Sequence, residues 1–235
     1  MKTSLIKILF YYPDIDQGNG GIRQYALNLL KSLDEIANDK WQLWVYHDLK
    51  DPEVLQIVNN STHCVLVQSD NIFTAKAKRN NRLRHRIGAL CQFLIGRVPY
   101  TFRQRNLLDD FIEENDIDYV HVPYQFCPDI KKSTKLITTL HDVQELHYPK
   151  NFTPKERAYR AEMYYRCAQN SHRIVVSYAH VAHDIVNYFD VPSERIVVLL
   201  LNMKNLWFSA FEKQQPQGKL KEFQTSPYLF YPANF

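Results

Sequence analysis

An α/β fold, with a parallel sheet covered by helices on both faces, is predicted by three observations. Short β-branched and aromatic runs alternate along the chain with segments of helical period. Several of those runs are apolar throughout, as strands buried on both faces are. The chain has 235 residues, 45% of them hydrophobic and 23% charged, which suits a globular protein able to bury one large domain. The same values exclude a disordered chain. No run of 18 apolar residues is present to cross a membrane.

The first strand is expected at 6–12. Its apolar run is short, carries Lys7 and leads to Pro13 and Asp14 without a small-residue cleavage site, so it reads as a strand and not as a signal peptide. Further strands are expected at 42–46, 64–67, 119–122, 136–140, 173–176 and 196–200, and helices at 22–33, 83–95, 104–114, 155–168 and 180–189. Thr153-Pro154-Lys155-Glu156 is a capping box with Pro at the first helical position. Pro192 follows the helix that ends near Phe189. This order of elements describes a Rossmann-like sheet. Residues 212–226 are mostly Glu, Lys, Gln, Pro, Gly, Ser and Thr, the composition of a linker. Tyr228-Leu229-Phe230-Tyr231 is strand-like again. The expected division is a domain over 1–205, a linker over 206–226 and the start of a further domain over 227–235.

Cys64, Cys91, Cys127 and Cys167 are far apart and form no C-x-x-C pair. They fit buried thiols in a reducing cytoplasm better than a zinc ribbon or a disulfide scaffold. The chain carries a net charge of +4, unevenly placed. Residues 76–105 hold nine Lys and Arg and no Asp or Glu, leaving the remainder with 20 basic against 25 acidic residues. Within that segment Leu83, Ile87, Leu90 and Leu94 follow helical spacing, with Arg82, Arg84 and Arg86 clustered at one end. Such a helix suits an anionic membrane surface, or else packs on the sheet with a solvated basic end. Nucleic acid is not expected as a partner: no recognised binding module is present, and the acidic remainder would repel a phosphate backbone.

Three places carry residues fit for chemistry. Gly18-Asn19-Gly20-Gly21 follows the first strand and holds three of the six glycines. Glycine lets backbone approach a ligand, and a helix beginning after such a loop favours anions. Arg23 takes the place of the last glycine of the dinucleotide fingerprint, and the Lys-Ser/Thr of a P-loop is absent. Arg23 either points at a phosphate or pairs on the surface. His141 and Asp142 come just past a strand, where open α/β sheets bind ligands. With Glu145 and His147 they suggest a metal site, but the spacing matches no standard zinc pattern, so no metal is expected. Ser177 follows the strand at 173–176. It lacks a nucleophile elbow and is expected to cap the next helix while facing the same cleft.

In this order and spacing the chain resembles the N-terminal half of a two-domain, GT-B fold, retaining glycosyltransferase of family 4, also called group 1. The resemblance rests on Gly20-Gly21 with Arg23 and Tyr25, and on Asp118-Tyr119-Val120-His121-Val122-Pro123. It rests further on Thr139-Leu140-His141-Asp142-Val143-Gln144 with Tyr148-Pro149, Phe152, Glu156-Arg157 and Arg160, and on Ile174-Val175-Val176-Ser177 with Asp184-Ile185 and Val191-Pro192-Ser193-Glu194-Arg195-Ile196. Pro227 to Phe235 resembles the first strand of the family's second domain. The resemblance implies transfer of a sugar from a nucleotide-sugar donor to a glycan or lipid-linked acceptor, with retention and without a cofactor. It implies that Gly20, Gly21 and Arg23 lie at the donor phosphates. It places His141 at the reacting sugar with Asp142 orienting that corner, and Tyr124, Gln125 and Ser177 on the acceptor side. The family's donor half, with its basic phosphate contacts and Glu-x7-Glu motif, would lie beyond Phe235, so the chain alone is expected to be inactive. A non-catalytic acceptor- or membrane-binding module, and one subunit of a split enzyme, are the two other functions the same features suit. The resemblance also implies a cytoplasmic protein, peripheral on the inner face of the membrane where the acceptor is lipid-linked. Leu199 to Asn205 replaces the Pro/Gly-rich turn common in the family at that place.

Overall fold

The structure is a computed structural model that describes residues 5–13, 20–37, 39–47, 51–103 and 105–200. Gly18 of the glycine loop, Gln104, the turn beyond Leu200, the linker over 206–226 and the segment 227–235 lie outside the described residues.

All seven expected strands form: Ile6–Tyr11 (β1), Trp41–Tyr46 (β2), Cys64–Val67 (β3), Tyr119–Val122 (β4), Lys135–Thr139 (β5), Arg173–Val176 (β6) and Ile196–Val198 (β7). They make one sheet in the order β3-β2-β1-β4-β5-β6-β7, with every neighbouring pair parallel. The fold class is therefore the one the sequence predicts, a Rossmann-like α/β sheet. Side chains along β1 alternate between two apolar layers. Leu9 joins the layer of Phe111, Met163 and Ile185, and Phe10 the layer of Ala26, Leu30 and Val54.

The helices are Gly20–Glu35 (α1), Pro52–Asn60 (α2), Ser69–Ile72 (α3), Ala75–Ile95 (α4), Leu107–Glu114 (α5), Gln144–His147 (α6), Pro154–Asn170 (α7) and Ala179–Phe189 (α8). The nine-residue α2 was not expected. Its start signal is nonetheless in the sequence: Asp51 caps it by accepting from Glu53 N at 3.0 Å, and Pro52 takes the first helical position. α4 begins eight residues before the expected start, where Thr74 accepts from Ala77 N at 3.1 Å. The stretch it adds is basic all round and shows no apolar period. α5 begins at Leu107 because Asn106 caps it through Leu108 N. The Thr153 capping box of α7 forms as expected, with Glu156 Oε2 accepting from Thr153 N at 2.8 Å. Ser177 does not cap α8. Tyr178 holds the cap position without a side-chain bond, and Ser177 is buried one residue earlier.

α4 stands out from this frame. Asn81 exchanges two hydrogen bonds with the backbone of Arg105, at 2.7 and 2.9 Å, just ahead of α5. α5 leads into a parallel strand, so its start lies toward the carboxyl edge of the sheet. Gly88 is the one buried residue of α4. Phe93 is 85% exposed, and Leu83, Leu90, Leu94 and Ile95 are exposed beside it. Gly96, at φ 69°, ends the helix in the left-handed turn that sends the chain back.

Candidate active site at the carboxyl edge of the sheet

The chain runs from β1 to β2 to β3 in one direction and then crosses back to place β4 on the other side of β1. Ligands of such sheets bind outside the carboxyl ends at this reversal. The residues that follow β1, β4, β5 and β6 therefore share one edge. Gly20 and Gly21 open α1, Tyr124 and Gln125 follow β4, His141 and Asp142 follow β5, and Ser177 follows β6.

His141 is the best-defined part of that edge. Tyr25, one turn into α1, meets its ring edge-on at 4.7 Å and 87°. The Tyr25 hydroxyl lies 3.4 Å from Thr139 Oγ1, which ties α1 to the end of β5. The Pro123 carbonyl after β4 accepts a hydrogen bond from the His141 ring. Nε2 is buried and has no hydrogen-bond partner among the described residues. Burial pulls the imidazole below its usual pKa, against the opposing pull of the Pro123 bond and of Asp142. The ring is thus neutral at neutral pH, with Nε2 buried and unpartnered.

Beside it lies a group of charges. Arg160 of α7 has Nη1 3.0 Å from the Tyr164 hydroxyl, 3.4 Å from Glu145 Oε2 and 3.5 Å from Asp142 Oδ1. The contact with Asp142 is an ion pair without hydrogen-bond geometry, since that oxygen has no hydrogen-bond partner. The guanidinium also sits 4.6 Å over the Phe152 ring. Glu145 is buried, and its Oε1 is unpartnered. His147 turns away and bonds Asp184 at 2.8 Å. Glu145 and His147 thus go to separate partners, away from the metal set their spacing suggests.

Among the described residues, a Cβ added at Gly20 or Gly21, at the start of a 16-residue helix, would meet nothing within 4 Å. Arg23 is engaged inside the protein. Its Nε lies 2.5 Å from Asp51 Oδ2, and Nη2 lies 2.8 Å from both Asp51 Oδ1 and Glu53 Oε1. Those bonds hold the Asp51 carboxyl below its ordinary range and raise the guanidinium. The expected phosphate-binding arginine is therefore already held by two carboxylates. Nearby, the Tyr12 hydroxyl is buried without a partner, and burial together with the Asp51 charge pushes it up to about 12. Tyr124 is half-buried and stacks on Phe126 at 5.8 Å; Gln125 is half-buried beside it. Of the three arginines expected at a membrane, Arg82 and Arg86 are exposed on α4, whereas Arg84 is half-buried and lines the space between α4 and α5.

Sequence reading alone did not assign a role to Glu145, Arg160 or Pro123. The separation of 15 between Glu145 and Arg160 leaves no periodic signal. Pro123 acts through its carbonyl, which no residue type announces.

Among curated proteins no sequence match is found. Solved structures similar to this chain include a glycosyltransferase from Rickettsia africae ESF-5, at 12% identity and a TM-score of 0.46, covering 95% of this chain and 49% of that one. HepE of Anabaena, in complex with UDP and glucose, is similar at 11% identity and a TM-score of 0.43, covering 83% of this chain and 44% of that one. The chain thus spans about half the length of these structures. The family model described as Glycosyltransferase Family 4 matches residues 19–200, most of the sheet and its carboxyl edge included, and the chain belongs to that family.

Proposed function

We propose that the chain forms the acceptor-side half of a retaining glycosyltransferase that moves a hexosyl group from a nucleotide sugar to a glycan or lipid-linked acceptor in polysaccharide assembly. The observation that carries this is His141: its ring is fixed from α1 and from the β4 loop, and its buried Nε2 is left unpartnered at the ligand-binding edge. A neutral imidazole nitrogen there forms a hydrogen bond with a hydroxyl of the transferred sugar and orients the sugar ring for attack at the anomeric carbon. Asp142, paired with Arg160, holds that corner. Gly20 and Gly21, at the start of α1, receive the donor diphosphate at the first turn of that helix. Tyr124 and Gln125 face the acceptor, and Ser177, buried just after β6, lies on the same edge. In this scheme 1–205 is the acceptor-side domain, 206–226 a linker and 227–235 the start of a donor-binding domain that supplies the remaining phosphate contacts. The 235-residue chain assayed alone is expected to show no transfer.

α4 supports a peripheral place on the inner face of a membrane. Its exposed Leu83, Leu90, Phe93 and Leu94 lie beside the exposed Arg82 and Arg86, an apolar face with a basic flank. No described helix is long and apolar enough to cross a membrane. The test of catalysis is His141→Ala in the complete enzyme, expected to lower turnover about a hundredfold or more, the usual cost of one hydrogen bond made in the transition state. Unchanged turnover would refute the role. The test of attachment is Arg82→Gln with Arg86→Gln, expected to release the protein from phosphatidylglycerol vesicles. Equal sedimentation would make the basic flank an ordinary solvated surface.

A further inference from the structure

The segment after Gly96 folds back across α4. Gly88 makes the crossing close: a Cβ there would lie 3.0 Å from the Phe102 carbonyl oxygen and from Val98 Cγ1. Beside the crossing is a mainly apolar groove of about 440 Å³, lined by Gly88, Ala89, Val98 and Phe102 with His85 and Gln92 at its border. Adjoining it is a space of about 410 Å³ lined by Arg84, Arg103, Arg105 and Lys131 and by the carboxylates of Asp109, Asp110 and Glu113. Arg103 borders both, so the two spaces meet at its side chain.

The charges at that junction are unbalanced. Arg105 lies 3.7 Å from Asp110, and Lys131 is paired with Glu113. Among the described residues, no carboxylate stands within ion-pair distance of Arg84 or Arg103. They lie in a stretch of nine basic and no acidic residues. With Asp109 also lining the space, four cations face three carboxylates, and an apolar trough that opens at Arg103 onto such a cationic excess is complementary to an anion with a hydrocarbon tail.

We infer that the groove between α4 and residues 98–103 binds a single anionic membrane lipid, its phosphate against Arg84 and Arg103 and its tail along Gly88, Ala89, Val98 and Phe102. The inference rests on α4 facing a membrane, and gives that contact a specific site in place of a diffuse charge. The exposed Leu90, Phe93 and Leu94 lie on the same half of α4, so the bilayer is the source from which such a lipid enters.

The probe is n-decyl phosphate below its micellar concentration, titrated calorimetrically into the 235-residue chain. Inorganic phosphate and n-decyltrimethylammonium serve as head-only and charge-reversed controls. Binding of one n-decyl phosphate is expected, at least about tenfold tighter than either control. Arg84→Gln with Arg103→Gln is expected to weaken it by about tenfold or more, the scale of two charge-assisted contacts. Ala89→Phe, on the open face of the helix, fills the trough and is expected to weaken it similarly while sedimentation with phosphatidylglycerol vesicles stays within about twofold. Arg82→Gln with Arg86→Gln should do the reverse. n-Decyl phosphate binding no tighter than the two controls, or binding indifferent to Ala89→Phe, would overturn the site. Failure of the wild-type chain to sediment, with n-decyl phosphate still bound, would remove the membrane assignment and leave the groove.

Discussion

Acid should unfold this protein through one residue in the middle of its sheet. His121 lies in β4 opposite Phe10 of β1 and Ile137 of β5, with its ring 5.8 Å from Phe10 at 65°. It is buried, and its Nε2 has no partner. Burial alone pulls its pKa from 6.5 down to about 4. The folded protein therefore binds fewer protons than the unfolded chain between those values. The stability this histidine permits is full above pH 6.5 and is lost as pH falls toward 4. The difference in pKa corresponds to about 3 kcal/mol in the limit, and to about 2–3 kcal/mol by pH 4.5. Urea unfolding of the wild type and of His121→Leu, followed by circular dichroism at pH 7.5 and pH 4.5, isolates it. Every other ionisable group is common to both proteins, so the double difference belongs to His121. The leucine variant should lose about 2–3 kcal/mol less than the wild type over that interval. Equal losses would refute the attribution, whatever the variant's stability at pH 7.5.

Three further changes read the site's supports. Arg160→Ala leaves Glu145 buried beside Asp142 without a cation, and should cost about 3 kcal/mol in urea unfolding; a loss below about 1 kcal/mol would mean that the carboxylates are solvated. Arg23→Gln removes both bonds to Asp51, whose side chain is 5% exposed, and should cost about 2 kcal/mol at pH 7. That loss should shrink as pH falls through the depressed Asp51 pKa, because a protonated carboxyl no longer needs the guanidinium. Thr153→Ala opens the capping box of α7 and should cost about 1 kcal/mol, read as a lower midpoint of thermal unfolding.

The sheet was legible because the middle of its central strands is buried. Runs such as Leu43–Val45 and Ile174–Val176 are apolar enough to announce themselves, and the parallel order follows from the helices between them. The start of α4 was not legible, because Lys76 to Arg82 present no apolar stripe to the protein, and only the Thr74 cap marks the boundary. Ser177 misled for a local reason: Ser is a good cap, yet the backbone turns into α8 one residue later, at Tyr178. His141 and Asp142 were placed by their position after a strand, which topology alone supplies. What fixes His141 was hidden, because Tyr25 is 116 residues away on α1 and Pro123 contributes only its carbonyl. The pairing of Arg23 with Asp51 and Glu53 was hidden for the same reason. A basic residue at the start of a helix reads equally well as an anion ligand and as half of an ion pair.

The most direct test of the central claim is sugar transfer by the complete enzyme isolated from its own cells, supplied with a panel of radiolabelled nucleotide sugars and membranes as acceptor. His141→Ala is measured beside the wild type and beside His147→Ala, whose ring is turned away to Asp184. The account predicts label incorporated from at least one nucleotide sugar, lowered about a hundredfold or more by His141→Ala and changed less than about threefold by His147→Ala. No incorporation from any donor, or equal incorporation by wild type and His141→Ala, would contradict it.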